Sequence, residues 1–280
     1  MRTRLDDLVR ERLSAGAAVP ALTCYDYTTA LGVVAAAERF GHGVVLLVTP
    51  KTAANGDGLR LIAALRQLAD AATVPVVVQL DHATSVSTIV AAVASGADAV
   101  LADGSRLSPP DNAAFVAEIR RLTDATGVVV EAELGSIEGD EDKAFAVVAA
   151  GKTDPDLVAA FVAESGAHLL ATSVGHVHGN YAGEPELDWP LIERIRANSV
   201  VPLTLHGASG LSDDDLARAA GAGLGKVNIN TELRAANLDA VQAQLPLSRA
   251  DGDDVLALES AWRGASFDFA TDALARLSAR

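Results

Sequence analysis

Eight short runs of apolar, largely β-branched residues recur along the chain, at 18–24, 43–48, 75–80, 98–102, 127–132, 168–174, 200–205 and 225–229. Between them apolar residues return at spacings of three and four, which predicts helices over 28–38, 58–72, 85–95, 111–125, 154–164, 188–197 and 212–221. Helix starts carry capping residues, as at Thr153-Asp154-Pro155 and Ser212-Asp213. Ser-Gly and Ala-Gly pairs at 95–96, 165–166 and 222–223 mark helix ends. The strand runs lack polar alternation, as expected of strands covered on both faces. Eight strands alternating with helices predict an α/β protein, a (β/α)8 TIM barrel.

One connection breaks the pattern. Residues 134–152, LGSIEGDEDKAFAVVAAGK, are glycine-bearing and acidic, and they follow a strand end directly. Loops of that kind are often functional. After about residue 233 the pattern reads as further helices, split by SRADGDD at 248–254. The expected organisation is therefore one domain over 1–280, a barrel with a helical C-terminal extension.

Composition narrows the function classes. A net charge of −15 argues against nucleic acid or an anionic membrane as partner. The single cysteine, Cys24, allows no internal disulfide and suits a reducing compartment. The N-terminal MRTRLDDLVRERL is charged and amphipathic, without the apolar core of a signal peptide. No apolar run reaches the roughly 18 residues needed to span a bilayer. A soluble, cytoplasmic protein is expected.

Histidine supplies the candidate chemistry. Three of the six histidines end an apolar run and precede a small residue: His82 in VPVVVQLDHA, His178 in HLLATSVGHVHG and His206 in SVVPLTLHGASG. In a parallel barrel such positions bring three imidazoles to one mouth, and neutral imidazole is the usual zinc ligand. His176 shares a face with His178 if the backbone is extended, so either is a ligand candidate; His178 is preferred because, like His206, it precedes glycine. His42 and His168 read as residues that cap or flank strands. Asp103 and Glu133, also at strand ends, read as partners that orient the ligands, as further metal positions, or as caps. Asp81 should face away from His82 in a regular strand. At the strand's end, where the chain turns, it can reach the mouth as a general acid/base. Glu141 is a second candidate base that acts when the acidic loop closes, although Glu138, Asp140 and Asp142 beside it fit a solvated charge run equally well. For an anionic substrate, Gly207-Ala208-Ser209-Gly210 and the segment Lys226 to Thr231 each run from a strand end into a helix. Backbone N–H groups and helix N-termini there suit phosphate, at a place where barrels often bind it.

These residues resemble the class II (zinc-dependent) fructose-bisphosphate and tagatose-bisphosphate aldolases over roughly residues 20–240. The motifs are QLDHA (79–83), ADGSRL (102–107), VEAELG (130–135), GDED (139–142), VGHVHGNYAGEPELD (174–188), LHGASGLS (205–212) and KVNINTEL (226–233). LHGASGLS and the Thr-Pro-Lys-Thr at 49–52 look closer to the tagatose-bisphosphate branch. The resemblance implies reversible aldol cleavage of a phosphorylated ketose to dihydroxyacetone phosphate and an aldehyde. The ketose would be a bisphosphate, such as fructose or tagatose 1,6-bisphosphate, or a ketose 1-phosphate. It implies zinc on His82, His178 and His206, with Asp103 and Glu133 supporting the metal or holding an alternative site. Asp81 would exchange the proton of the C4 hydroxyl, and Glu141 would handle the proton on the dihydroxyacetone-phosphate carbon. Gly179, Gly207, Ser209, Asn228, Asn230 and Thr231 would surround dihydroxyacetone phosphate. Some family members also bind a monovalent cation, and a homodimer or homotetramer is expected. No lysine Schiff base is implied.

Three departures bear on the substrate. Ser105-Arg106-Leu107 stands where the family usually has histidine, and His176 where it has threonine. Asp251-Gly252-Asp253 stands where family members carry an Asp-Pro-Arg whose arginine binds the second phosphate. An acidic residue there would repel that phosphate, so the aldehyde partner is expected to lack it unless Lys51 or Arg106 supplies the cation. Two other readings stand beside this one: a zinc hydrolase on a similar barrel, and a non-catalytic sugar-phosphate-binding protein on the same scaffold.

Overall fold

The computed structural model describes residues 2–137, 139, 142–143, 146–147, 151–177, 180–181 and 186–278. Eight strands form a closed, all-parallel barrel: β1 (Val19–Thr23), β2 (Val44–Val48), β3 (Val76–Ala83), β4 (Ala99–Ala102), β5 (Val129–Leu134), β6 (Leu169–Thr172), β7 (Leu203–Leu205) and β8 (Leu224–Ile229). Neighbours follow chain order, and β1 closes on β8 with Val19 opposite Lys226 and Leu22 opposite Ile229. The helices are α1 (Leu5–Ser14), α2 (Tyr27–Phe40), α3 (Pro50–Ala53), α4 (Gly56–Ala71), α5 (Val86–Ala94), α6 (Pro109–Thr123), α7 (Val158–Ser165), α8 (Trp189–Asn198), α9 (Asp213–Gly221), α10 (Thr231–Ala250) and α11 (Val255–Arg276). The (β/α)8 TIM barrel and its C-terminal helices are as the patterning predicts. Outside the barrel, Ala146–Val147 pairs in parallel with Asn180–Tyr181.

Local chemistry explains the boundaries. The N-caps Asp26, Ser108, Ser212 and Asp254 each accept a backbone N–H three residues on. The expected helix at 154–164 begins instead as a 3-10 turn over Pro155–Leu157, capped by Asp154, before α7 takes over. β7 is shorter than the apolar run suggests. Val200 is 86% exposed and Pro202 has no N–H for a ladder, so pairing starts at Leu203.

Strand alternation separates two apolar layers. Val44, Leu46, Val48, Val76, Val78 and Leu80 point outward into the layer beneath the helices. Val19, Ala21, Val45, Leu47, Val77, Ala99, Val129 and Leu169 point inward, where they meet Leu5, Leu8 and Val9 of α1. The amphipathic N-terminal segment is therefore the floor of the barrel. Gly225 lets it seat: a Cβ there would lie 2.6 Å from Val9 Cγ1 and 2.7 Å from Leu13 Cδ1. At the rim of the floor, Arg4 Nη1 donates to the Gly127 carbonyl at 3.0 Å, and Arg4 Nη2 lies 3.3 Å from His168 Nε2. His168 Nδ1 accepts from the Val130 amide at 2.9 Å, a strand-flanking role as expected.

The C-terminal helices are fastened to the barrel chiefly through α2. α11 packs on α2 and α10. Gly32 permits the α2–α11 approach, since a Cβ there would come 2.7 Å from Ser266 Cβ. Thr29 Oγ1 is the junction: it donates to Asp26 Oδ2 at 2.8 Å and accepts from Trp262 Nε1 at 2.7 Å and Asn237 Nδ2 at 3.3 Å. Among the described residues no helix is long and apolar enough to cross a membrane.

Candidate active site

Above the apolar floor the barrel interior turns polar. Gln79, Glu131, Thr204 and Lys226, from β3, β5, β7 and β8, form a buried layer around one carboxylate. Glu131 Oε1 accepts from Thr204 Oγ1 at 2.7 Å and from His206 Nε2 at 2.9 Å. Its Oε2 accepts from Gln79 Nε2 and from the Lys226 ammonium, both at 2.8 Å. Burial alone would push Glu131 up, but Lys226 and His206 reverse that and hold it well below the usual carboxylate range. Burial pushes His206 below its ordinary value despite Glu131, so the ring is neutral at pH 7.

Two residues further along the same strands stand Asp81, Glu133, His206 and Asn228. Asp81 is fully buried, and Asn228 Nδ2 donates to its Oδ2 at 3.1 Å. His82 follows with φ +42°, a left-handed backbone that costs an ordinary residue on the order of 1–3 kcal/mol. The β3–β4 register shifts between Leu80 and Ala83 at the same point. Strict alternation would turn His82 and Asp81 to opposite faces. The left-handed residue cancels that, and Asp81, His82 and His206 bring ligand atoms within 4.8 Å of one another.

The ring nitrogens are sorted by their partners. Asp103 Oδ2 lies 2.9 Å from His82 Nδ1, while Asp103 Oδ1 accepts from the Ser105 amide at 3.0 Å. Burial would raise Asp103, yet these bonds bring it well below the usual carboxylate range. An ionised carboxylate only accepts, so His82 carries its proton on Nδ1 and His206 carries its proton on Nε2. In neutral rings His82 Nε2 and His206 Nδ1, which face each other at 2.9 Å, are then the nitrogens open to a metal. A metal ion between them, or a second proton on one ring, satisfies that approach. Two imidazole nitrogens on one tetrahedral zinc stand roughly 3.3 Å apart, from Zn–N bonds of about 2.0–2.1 Å. Glu133 Oε2 sits 3.6 Å from His206 Nδ1 and 3.7 Å from His82 Nδ1, and His82, Asp103 and Glu133 form a second potential metal cluster. Lys226 neutralises Glu131, and a divalent cation is the natural complement to Asp81, Asp103 and Glu133. The residues present fit a metal.

A cleft of about 540 Å³ opens above this set, lined by Lys51, His82, Asp103, Arg106 and Glu133 among others. Asp142 of the acidic loop is tethered at its edge: Tyr25 OH donates to its Oδ1 at 2.8 Å, and Lys51 Nζ lies 3.0 Å from its Oδ2. Asn230 Nδ2 donates to Tyr25 OH at 3.0 Å. Asp142 is therefore more than a member of a solvated charge run. Gly207, with φ +54°, and buried Ser209 follow His206, and Gly210 N donates to Glu232 Oε1 at 2.9 Å. Asn230 is the N-cap of α10 and Thr231 its first residue. Asn228, among the residues expected around dihydroxyacetone phosphate, donates its Nδ2 to Asp81 Oδ2. Glu141, His178 and Gly179 lie outside the described residues. His176 is described and buried. Asp251-Gly252-Asp253 forms the turn between α10 and α11, with Asp253 paired to Arg249 at 2.7 Å.

Glu131, Gln79, Thr204 and Tyr25 escape a reading of strand ends. A signal existed for the first three: each stands two residues before a mouth residue, in Gln79/Asp81, Glu131/Glu133 and Thr204/His206. In a strand that spacing means the same face. Lys226, expected to serve anion capture, sits below the mouth and is committed to Glu131.

Known proteins resemble this chain in both sequence and fold. The profile of the family "Fructose-bisphosphate aldolase class-II" matches residues 3–271. The "D-tagatose-1,6-bisphosphate aldolase subunit GatY" of Klebsiella oxytoca is 36% identical over 228 residues, 81% of this chain and 80% of that one. Among solved structures, the YdjI aldolase of Escherichia coli K12 superposes with TM-score 0.87 at 29% identity, covering 99% of this chain and 97% of that one. A putative fructose-1,6-bisphosphate aldolase from Coccidioides immitis gives TM-score 0.83 at 27% identity, covering 98% and 96%.

Proposed function

The chain belongs to the class II fructose-bisphosphate aldolase family and is an aldol-cleaving lyase; from that premise we propose that it is zinc-dependent and cleaves a phosphorylated ketose to dihydroxyacetone phosphate and an aldehyde. The observation that carries the metal assignment is the convergence of His82 Nε2 and His206 Nδ1 at 2.9 Å, with each opposite ring nitrogen held by a carboxylate. Zinc held by His82, His206 and His178, with Glu133 beside it, would supply Lewis acidity at the ketone oxygen. Asp103 orients His82, and Glu131 orients His206.

Asp81 performs the proton transfer at the other half of the bond. In cleavage it takes the C4 hydroxyl proton as the C3–C4 bond breaks and the aldehyde forms; in condensation it gives the proton back. Asn228 fixes the plane of this carboxylate by its bond to Oδ2. Glu141, next to tethered Asp142, exchanges the proton on the dihydroxyacetone-phosphate carbon. Gly179, Gly207, Ser209, Asn228, Asn230 and Thr231 surround dihydroxyacetone phosphate at the mouth, where the α10 N-terminus favours its negative charge. A monovalent cation beside the histidine-glycine loops is part of the same proposal. So is a homodimer or homotetramer working in the cytoplasm on small sugar phosphates.

The aldehyde half is read from two places. The acidic turn at 251–253 supplies no cation for a second phosphate, whereas Lys51 and Arg106 both line the cleft. A retro-aldol screen of ketose 1-phosphates against the matching 1,6-bisphosphates, with and without chelator, tests the whole assignment. Turnover lost on chelation and restored by zinc is expected. Turnover indifferent to chelation would refute the metal assignment, and preference for one substrate series decides the aldehyde half.

A further inference from the structure

We propose that Lys226, which the aldol reaction itself does not use, is a positioning residue: acting through Glu131, it fixes which nitrogen of His206 faces the metal position. The inference rests on the zinc reading above, and it adds a residue linked to the metal position through Glu131 and His206.

Lys226 is fully buried inside the barrel, and its ammonium lies 2.8 Å from Glu131 Oε2. A buried lysine is rare, and a buried ion pair often adds little stability over apolar residues of the same size. Its presence calls for a role beyond stability. The four donors around Glu131 define that role. Thr204 and His206 occupy Oε1, and Gln79 and Lys226 occupy Oε2. Gln79 can present either end of its amide, and Thr204 can rotate its hydroxyl, but an ammonium has donors only. Lys226 therefore demands an acceptor at Oε2, just as the Nε2-protonated ring of His206 demands one at Oε1. Only a carboxylate meets both demands. With Lys226 in place, residue 131 cannot offer His206 a donor without another conflict, so the ring keeps its proton on Nε2 and its lone pair on Nδ1, toward His82.

An amide at 131 sets the two demands against each other. In Glu131→Gln the NH2 group must go somewhere. Toward Lys226 it meets a donor at hydrogen-bond distance; toward His206 it gives the ring a donor and drives the ring proton to Nδ1, where zinc should bind. Relieving Lys226 removes the conflict. In Glu131→Gln/Lys226→Met the NH2 group turns to the vacated side, where Gln79 can offer its carbonyl, and the amide oxygen again accepts from His206 Nε2.

Zinc affinity of the full-length metal-free protein, measured by competition with a chromophoric chelator, reads this directly. Glu131→Gln is expected to bind zinc about 10- to 100-fold more weakly than wild type. The double variant is expected to regain most of that loss, although it lacks two native charges. A double variant as weak as, or weaker than, Glu131→Gln would overturn the role of Lys226. Histidine-selective ¹⁵N NMR of the metal-free wild type gives a second reading that needs neither a variant nor zinc. His206 protonated on Nε2 supports the inference, and His206 protonated on Nδ1 overturns it. Wild type that binds no zinc while His206 keeps its Nε2 proton would count against the zinc reading and for the orienting role of Glu131.

Discussion

Asp103→Asn changes one side-chain atom and should displace a proton on the neighbouring ring. Asp103 has two duties: Oδ1 accepts from the Ser105 amide at 3.0 Å, and Oδ2 meets His82 Nδ1 at 2.9 Å. An asparagine has one acceptor to divide between them. The backbone N–H of Ser105 cannot become an acceptor, so the carbonyl oxygen stays there and the NH2 group turns toward His82. The ring then accepts at Nδ1 and carries its proton on Nε2, the nitrogen that faces His206 at 2.9 Å. A charge-assisted hydrogen bond is worth about 1.5–3 kcal/mol. At 1.4 kcal/mol per tenfold, its loss corresponds to roughly 10- to 100-fold weaker zinc binding. Chelator competition on the metal-free protein measures that directly, and kcat at saturating zinc shows whether the site reassembles once the ion is forced in. Asp103→Ala provides the discriminating control, because it leaves His82 Nδ1 to water and imposes no tautomer. The asparagine variant should therefore bind zinc more weakly than the alanine variant. Equal affinities, or an asparagine variant within twofold of wild type, would refute the tautomer argument.

Two further outcomes test other parts of the site and scaffold. Asp81→Asn should lower kcat by about 10²- to 10⁴-fold, the usual contribution of a positioned acid/base; turnover above a tenth of wild type would remove Asp81 from the proton transfer. His168, pushed down to about 4 by burial and by Arg120 and Arg4, is neutral in the fold but protonates near its ordinary 6.5 when unfolded. The unfolded chain thus binds more protons between those values, and stability should fall as pH drops through that window. Thermal melts of His168→Gln should show a shallower decline there than wild type, and parallel curves would refute the assignment.

Different parts of this architecture were legible in the sequence for different physical reasons. The eight strands could be read because a strand covered on both faces must be apolar throughout, and the helices because one face must be. His82 and His206 could be read because each ends such a run against a small residue. The layer beneath them could not be read as easily. Gln79 and Glu131 are 52 residues apart, and Glu131 and Lys226 are 95 apart, so their pairing exists only once the barrel has closed. Inside apolar runs, single polar letters look like interruptions. For Asp81, strand alternation and the turn at the strand's end pull in opposite directions, and one left-handed residue, His82 at φ +42°, is what brings the two side chains together. The floor was missed because α1 looks like a surface helix until the barrel supplies the hole it fills.

The contact between that floor and β8 also sets an order of events during synthesis. α1 and β1 leave the ribosome well before β8, which pairs with β1, carries the Gly225 that admits Val9, and is the last barrel strand to be made. About 200 residues separate them, or roughly 10–40 s of translation at ~5–20 residues per second. Through that interval β1 has one unpaired edge and α1 an uncovered apolar stripe, the kind of surface that draws a growing chain into association. The same plug that seals the finished barrel makes the nascent chain dependent on protection until its closing strand emerges.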